Sequence, residues 1–170
     1  VQLTPNLTAT FELVIGCSLT LDLDGFDLGI STEFGQNSIN ILPGFTFAII
    51  DSSGTLNVSN NGLGSSNGNH AGINTTGATL HIDGGTTVAQ GGIQAAGIGD
   101  SQGNGGPGSP GAGGPSGDIS VSGTPTINAT GGGNAPAIGP GSGSGGLGTL
   151  GTINVTGGIF NTTPSPHYNI

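Results

Sequence analysis

The sequence predicts an all-β chain wound as a parallel solenoid, and three observations predict it. The first is an internal repeat: Gly77 to Gly99, Gly117 to Gly139 and Gly151 to Asn161 read GATLHIDGGTTVAQGGIQAAGIG, GDISVSGTPTINATGGGNAPAIG and GTINVTGGIFN. Each unit is too short and too glycine-rich to bury a core alone, but stacked copies share one. The second is period-two apolar alternation over short stretches, with no helical periodicity between them. The third is composition: 38 of 170 residues are Gly, charged residues make up 5% and Lys+Arg is 0. Disorder of this glycine content ordinarily goes with high charge and few aliphatics, whereas here Ile, Leu and Val recur in register.

Taken in order, Phe11, Leu13, Ile15, Cys17, Leu19, Leu21 and Leu23 alternate with Glu12, Ser18, Thr20, Asp22 and Asp24. This is a half-buried strand, bent or split at Gly16, with Cys17 on the inward side. Asp24-Gly25 ends it with a turn, and Phe45, Phe47 and Ile49 rebuild the alternation after Pro43-Gly44. Leu19-Leu21-Leu23 and Phe45-Phe47-Ile49 stand 26 residues apart, Leu56-Val58 and Leu80-Ile82 24 apart, and Ala71-Gly72-Ile73 and Ala96-Gly97-Ile98 25 apart. Later the step grows to about 40 and then 34, because Asp100 to Ser116 and Gly141 to Leu150 are glycine-rich insertions.

A step near two dozen residues holding two or three short strands is one solenoid turn. The chain then makes roughly six or seven turns, about 30 Å along the axis at about 4.8 Å per rung. The predicted core is Leu19, Leu21, Leu23, Phe45, Phe47, Leu56, Val58, Leu80, Ile82, Ile119, Val121, Ile153 and Val155. A single domain over 1–170 follows, with 1–10 and 162–170 as extended terminal segments interrupted by Pro5, Pro164 and Pro166.

The strings Leu19 to Gly25, Pro43 to Phe47, and Ala96 to Gly99 followed by a glycine-rich loop and Gly117 to Gly123 resemble the right-handed parallel β-helices of secreted bacterial surface proteins. That pectin-lyase-like family holds adhesins, carbohydrate-binding modules and polysaccharide lyases. The resemblance runs from about Phe11 to Asn161 and implies a fold; many activities share the scaffold. Lyases of that family use Arg or Lys beside acidic groups, often with calcium. This chain has neither cation, which removes that chemistry.

The same inventory bears on partners. A formal charge of -9 with three His as the only side-chain bases leaves nothing to replace the counterions of a nucleic acid or to attract an anionic membrane. No apolar run reaches the roughly 18 residues of a membrane-spanning helix. Val1 in place of an initiator Met predicts a mature secreted chain whose leader is gone.

For the chemistry of sites, Asp22 and Asp24 would project from one strand about 7 Å apart, a separation that glycoside hydrolysis tolerates. A solvated strand face explains them as well. Asp22, Asp24 and Asp27 give three carboxylates within six residues, the hard oxygen donors that calcium prefers, without the spacing or terminal Glu of an EF-hand. Asp83 and Asp118 read as turn residues. His70, His81 and His167 lie far apart, with no partners at metal-ligand spacing. Six Asn-X-Ser/Thr sites occur, at Asn6, Asn57, Asn74, Asn128, Asn154 and Asn161. Asn57 and Asn154 each lie between two inward apolar residues and should point outward, where a glycan can attach. No catalytic residues are assigned. The expected function is an extracellular structural or adhesive solenoid that binds itself head to tail, with a non-catalytic carbohydrate-binding module as the alternative and calcium as the one cofactor the residues suggest.

Overall fold

The computed structural model describes residues 1–33, 35–50, 53–61, 70–101, 115–143 and 146–163. Among them there is no helix, and the chain circles one axis, laying a strand into each of three sheets per turn. The first turn is β1 (Leu7–Ala9), β2 (Leu13–Ile15) and β3 (Leu19–Asp22), and the second β4 (Asp27–Thr32), β5 (Ile39–Ile41) and β6 (Thr46–Ile50). The third is β7 (Thr55–Asn60), β8 (Ile73–Asn74) and β9 (Thr79–Ile82), and the fourth β10 (Thr86–Gln90), β11 (Ile98–Gly99) and β12 (Asp118–Val121). The fifth carries β13 (Thr126–Thr130), β14 (Ile138–Gly139), a small antiparallel hairpin of β15 (Ser142–Gly143) and β16 (Gly146–Leu147), and β17 (Ile153–Val155). A sixth turn opens with β18 (Ile159–Thr163).

The first sheet runs β1-β4-β7-β10-β13-β18, the second β2-β5-β8-β11-β14 and the third β3-β6-β9-β12-β17, all parallel. The parallel solenoid is therefore as the sequence predicts. Among the described residues its turns number five and a strand, against the six or seven expected, because the early step is longer than two dozen residues. Leu19 pairs with Phe47 and Leu28 with Leu56, each 28 residues on, rather than 26. Six rungs at about 4.8 Å put about 24 Å between the first and last strands. The proposed equivalence of Leu56-Val58 with Leu80-Ile82 is also corrected: Leu56 stacks between Leu28 and Thr87 in the first sheet, and Leu80 between Phe47 and Ile119 in the third. Two strands of one turn carry the same apolar-polar-apolar triplet, so the triplet alone does not tell which sheet it joins. The Ala-Gly-Ile match does align correctly, with Ile73 on Ile98, and the later steps of 40 and 34 hold as Ile98 on Ile138 and Ile119 on Ile153.

Because successive residues of a strand point to opposite faces, alternate positions stack into inward columns. Leu19, Phe47, Leu80, Ile119 and Ile153 form one; Leu13, Ile39, Ile73, Ile98 and Ile138 another. Of the predicted core, Leu21, Leu23, Phe47, Leu56, Val58, Leu80, Ile82, Ile119 and Val121 are buried, while Leu19 and Phe45 pack half-buried against them. Ile153 and Val155 hold the right register but are 38% and 48% exposed, because β17 is the last strand of its sheet and has a neighbour on one side only.

Cys17 is exposed, contrary to the alternation: β2 ends at Ile15 and β3 starts at Leu19, so Cys17 occupies the corner between them. Residues 1–10 are not a tail outside the coil. β1 pairs with β4 in the first rung, and Val1 to Leu3 lie parallel along the outer edge of β3, where the Leu3 amide and Val1 carbonyl bond Asp22. Thr162 and Thr163 belong to β18, and Pro164 to Ile170, with His167, lie outside the described residues.

Two glycines show why the corners need that residue. Gly99 and Gly139, 40 residues apart and stacked, take φ of 143° and 137° at the exits of β11 and β14. A Cβ on Gly99 would land on the Gly139 carbonyl of the next turn, so neither the backbone conformation nor the space admits a side chain. Where the first sheet turns toward the second, polar residues fill the interior instead. The Thr32 and Ser38 hydroxyls meet at 3.0 Å, Ser38 donates to the Ser59 carbonyl at 2.9 Å, and the Asn60 amide donates to the Gln36 carbonyl at 2.7 Å. Thr32, Ser38 and Asn60 are fully buried, and these bonds are what makes such burial tolerable.

Candidate functional site

Asp22, Asp27 and Asp118 each accept a backbone amide. Asp24 is not a strand residue, as its φ is 51° and its amide donates to Asp22 Oδ1 at 3.1 Å, an Asx-type turn that closes β3. The pair expected to project from one strand is thus split between a strand end and a turn. Asp27 Oδ1 accepts the Thr55 amide of the next rung at 3.1 Å, and its own amide donates to Asn6 Oδ1 at 2.9 Å. Asp118 Oδ1 takes the Thr152 amide at 2.9 Å in the same way, and Ser122 donates its hydroxyl to Asp83. Among the described residues no three His, Cys, Asp or Glu side chains are grouped where a metal ion could sit, and that covers Asp22, Asp24 and Asp27.

The histidines are separate. His81 lies outward on β9 between buried Leu80 and Ile82, with Ala48 and Ser120 as rung neighbours. His70 is half-buried at the corner before β8, where desolvation pushes its pKa below 6.5 and the Glu12 carboxylate partly restores it. Glu12 Oε1 there accepts both the backbone amide of Asn37 and its side-chain amide, at 3.2 and 3.3 Å. Asn37 Oδ1 in turn accepts the Ala71 amide at 2.9 Å and the Ser101 hydroxyl at 2.6 Å. This chain of bonds ties residues of the first, second, third and fourth turns. Sequence reasoning missed it, because its members are scattered polar residues in corners of different length.

The outward face of the first sheet is a grid of short polar side chains. One column reads Asp27, Thr55, Thr86, Thr126, Ile159; the next Thr8, Gly29, Asn57, Val88, Asn128, Asn161; the third Ser31, Ser59, Gln90, Thr130, Thr163. Asp27 is its one ionisable residue. At its edge, Thr10, Ser31, Glu33 and Gln36 line an open depression of about 550 Å³.

The grid also sorts the glycosylation motifs. Asn57, Asn128 and Asn161 share one column, and the Asn161 side-chain amide donates to Asn128 Oδ1 at 2.9 Å. Asn74, on the second sheet, donates to Asn40 Oδ1 at 2.9 Å while its own Oδ1 accepts the Thr76 hydroxyl at 2.7 Å. Asn6, Asn57 and Asn154 are exposed; Asn74 and Asn128 are half-buried.

At the C-terminal side of the described coil the interior stands uncovered. Ile153 and Val155, inward in register, and Leu147 and Leu150 nearby in sequence are all exposed. The opposite end presents Val1, Leu7, Phe11 and Val14. No helix of the described residues is long and apolar enough to cross a membrane. Compared with protein-family models, curated proteins and solved structures, the chain matches none.

Proposed function

We propose that this chain is an extracellular structural rod of the right-handed β-helix kind, which lengthens by adding further parallel rungs, with a second copy supplying them head to tail. The observation that carries the reading is the inward ladder that reaches β17 and is left exposed at Ile153 and Val155. Both ends of the stack are edges of parallel sheets, and such edges pair with further strands. At the opposite end β1 and β2 are the open edges, with Leu13 inward over Ile138, while Val1 to Leu3 already pair along β3 and would themselves face β17 of the preceding copy. A contact of this head-to-tail type does not close on itself and gives a filament. It rests on backbone pairing and apolar burial, so it persists at high salt, which also screens the repulsion of like-charged subunits.

Light scattering over a concentration series at high salt tests this: mass grows stepwise for the wild type, and Val155→Asp abolishes growth while the fold persists. A wild-type chain that stays monomeric throughout defeats the reading.

A second reading, a carbohydrate-binding surface without catalysis, is favoured by the grid and by the polar depression at Thr10, Ser31, Glu33 and Gln36. Hydroxyls and amides suit neutral sugars, and a neutral-glycan array probed with and without calcium tests it. Wild-type retention of a glycan that is lost in Glu33→Gln supports this reading; no retention removes it.

A further inference from the structure

Gly29 sits in the middle of β4, where glycine weakens a strand, yet nothing local asks for it. Its φ is not positive, and a Cβ there would make only ordinary contacts, 3.5 Å from Thr8 Cγ2 and 3.9 Å from the Leu7 carbonyl oxygen. The bare position lies outward, directly beside Asn57 on the next rung. On the other side of Asn57 stands Val88, which offers its amide no hydrogen bond. Asn57 is exposed, and Ser59, two residues on, faces the same way, as the Asn-X-Ser motif requires.

We infer that Asn57 is the principal N-glycan acceptor of this chain, with the first sugars lying over Gly29, and that the fold withholds Asn74. This inference rests on the extracellular reading, since the donor belongs to a secretory pathway. The donor is an oligosaccharide linked through pyrophosphate to a lipid. Asn57 Nδ2 forms a bond to the anomeric carbon as the bond from that carbon to the pyrophosphate oxygen breaks. The amide gives up one proton, the lipid pyrophosphate leaves with the electron pair, and nothing is oxidised or reduced. The Asn57 side chain keeps one N–H and its carbonyl.

The other motifs differ in ways the structure makes specific. The Asn74 amide is engaged with Asn40, and its oxygen with Thr76. Asn128 and Asn161 are bonded to each other on adjacent rungs about 4.8 Å apart, too close for two branched glycans. Asn6 and Asn154, both exposed, are secondary acceptors at the two ends of the coil.

The test is secretion of the full chain, behind a leader, from a eukaryotic host, followed by glycopeptide mass spectrometry of the folded fraction. The expected result is Asn57 occupied in most molecules and Asn74 in few. Asn57→Gln and Ser59→Ala should each remove the mass of that glycan while leaving the circular dichroism unchanged. Gly29→Gln should lower the melting temperature of glycosylated protein more than it does in the Asn57→Gln background, a difference that a merely structural role for Gly29 would not produce. An unoccupied Asn57, equal occupancy at Asn57 and Asn74, or an identical Gly29→Gln effect in both backgrounds would overturn the inference. Scattering on unglycosylated protein tests assembly separately, so a failure of assembly and a failure of the glycan assignment are told apart.

Discussion

Thr87 points into the core between Leu56 and Ile127, is fully buried, and its hydroxyl has no hydrogen-bond partner among the described residues. A buried hydroxyl without a partner costs about 1–3 kcal/mol by the measure of protein mutational data. Valine has nearly the same shape, so Thr87→Val removes the penalty and opens no cavity. The expected gain is about 1–2 kcal/mol, which for a chain of this length raises the melting temperature by about 3–6 °C. Urea unfolding followed by circular dichroism should show a higher midpoint at unchanged slope. The converse change, Val58→Thr in the adjacent column, should cost about 1–3 kcal/mol by creating the same defect. A neutral or destabilising Thr87→Val would mean the hydroxyl is satisfied, and would refute the placement of Thr87 in a dry apolar column.

Two further outcomes follow from the corners. Gly99→Ala should prevent folding or cost several kcal/mol, because its Cβ meets the Gly139 backbone; Gly44→Ala, at φ 83° with no atom within 4 Å, should cost about 1–2 kcal/mol from conformation alone, and thermal melts of the pair will separate the two. For His70 the folded pKa lies below 6.5 through burial, so the unfolded chain binds the proton more readily. Its contribution to stability is therefore intact above 6.5 and is lost as pH falls from 6.5 through the lower folded value. Urea midpoints measured across that window should fall with pH, less so in His70→Gln and more so in Glu12→Gln, where the carboxylate that partly restores the pKa is gone.

The parts of the fold legible in the sequence were those set by alternation. Leu80-His81-Ile82 and Ile119-Ser120-Val121 reveal their inward and outward faces directly, and the Ala-Gly-Ile corners gave a correct step. Pairing was harder to read. Leu56-Asn57-Val58 matches either of two sheets, and only the count of residues around a full turn, hidden by corners of unequal length, decides between them. Thr87 carries no outward mark of being inside, since Thr86 and Thr87 look alike in sequence and sit on opposite faces. The six glycosylation motifs were visible as motifs, but which amides are already engaged by Asn40 or Asn128 depends on rung neighbours dozens of residues away. Exposure of Ile153 and Val155 likewise reflects that β17 has a described neighbour on one side only, rather than what those residues are.

Cryo-electron microscopy of concentrated protein at high salt tests the rod most directly. The account predicts filaments of one solenoid's width with a layer line at about 4.8 Å running through the subunit junctions, β18 of one copy pairing with β1 of the next. Isolated single-subunit particles at every concentration, or filaments whose rungs are interrupted at each junction, would contradict it.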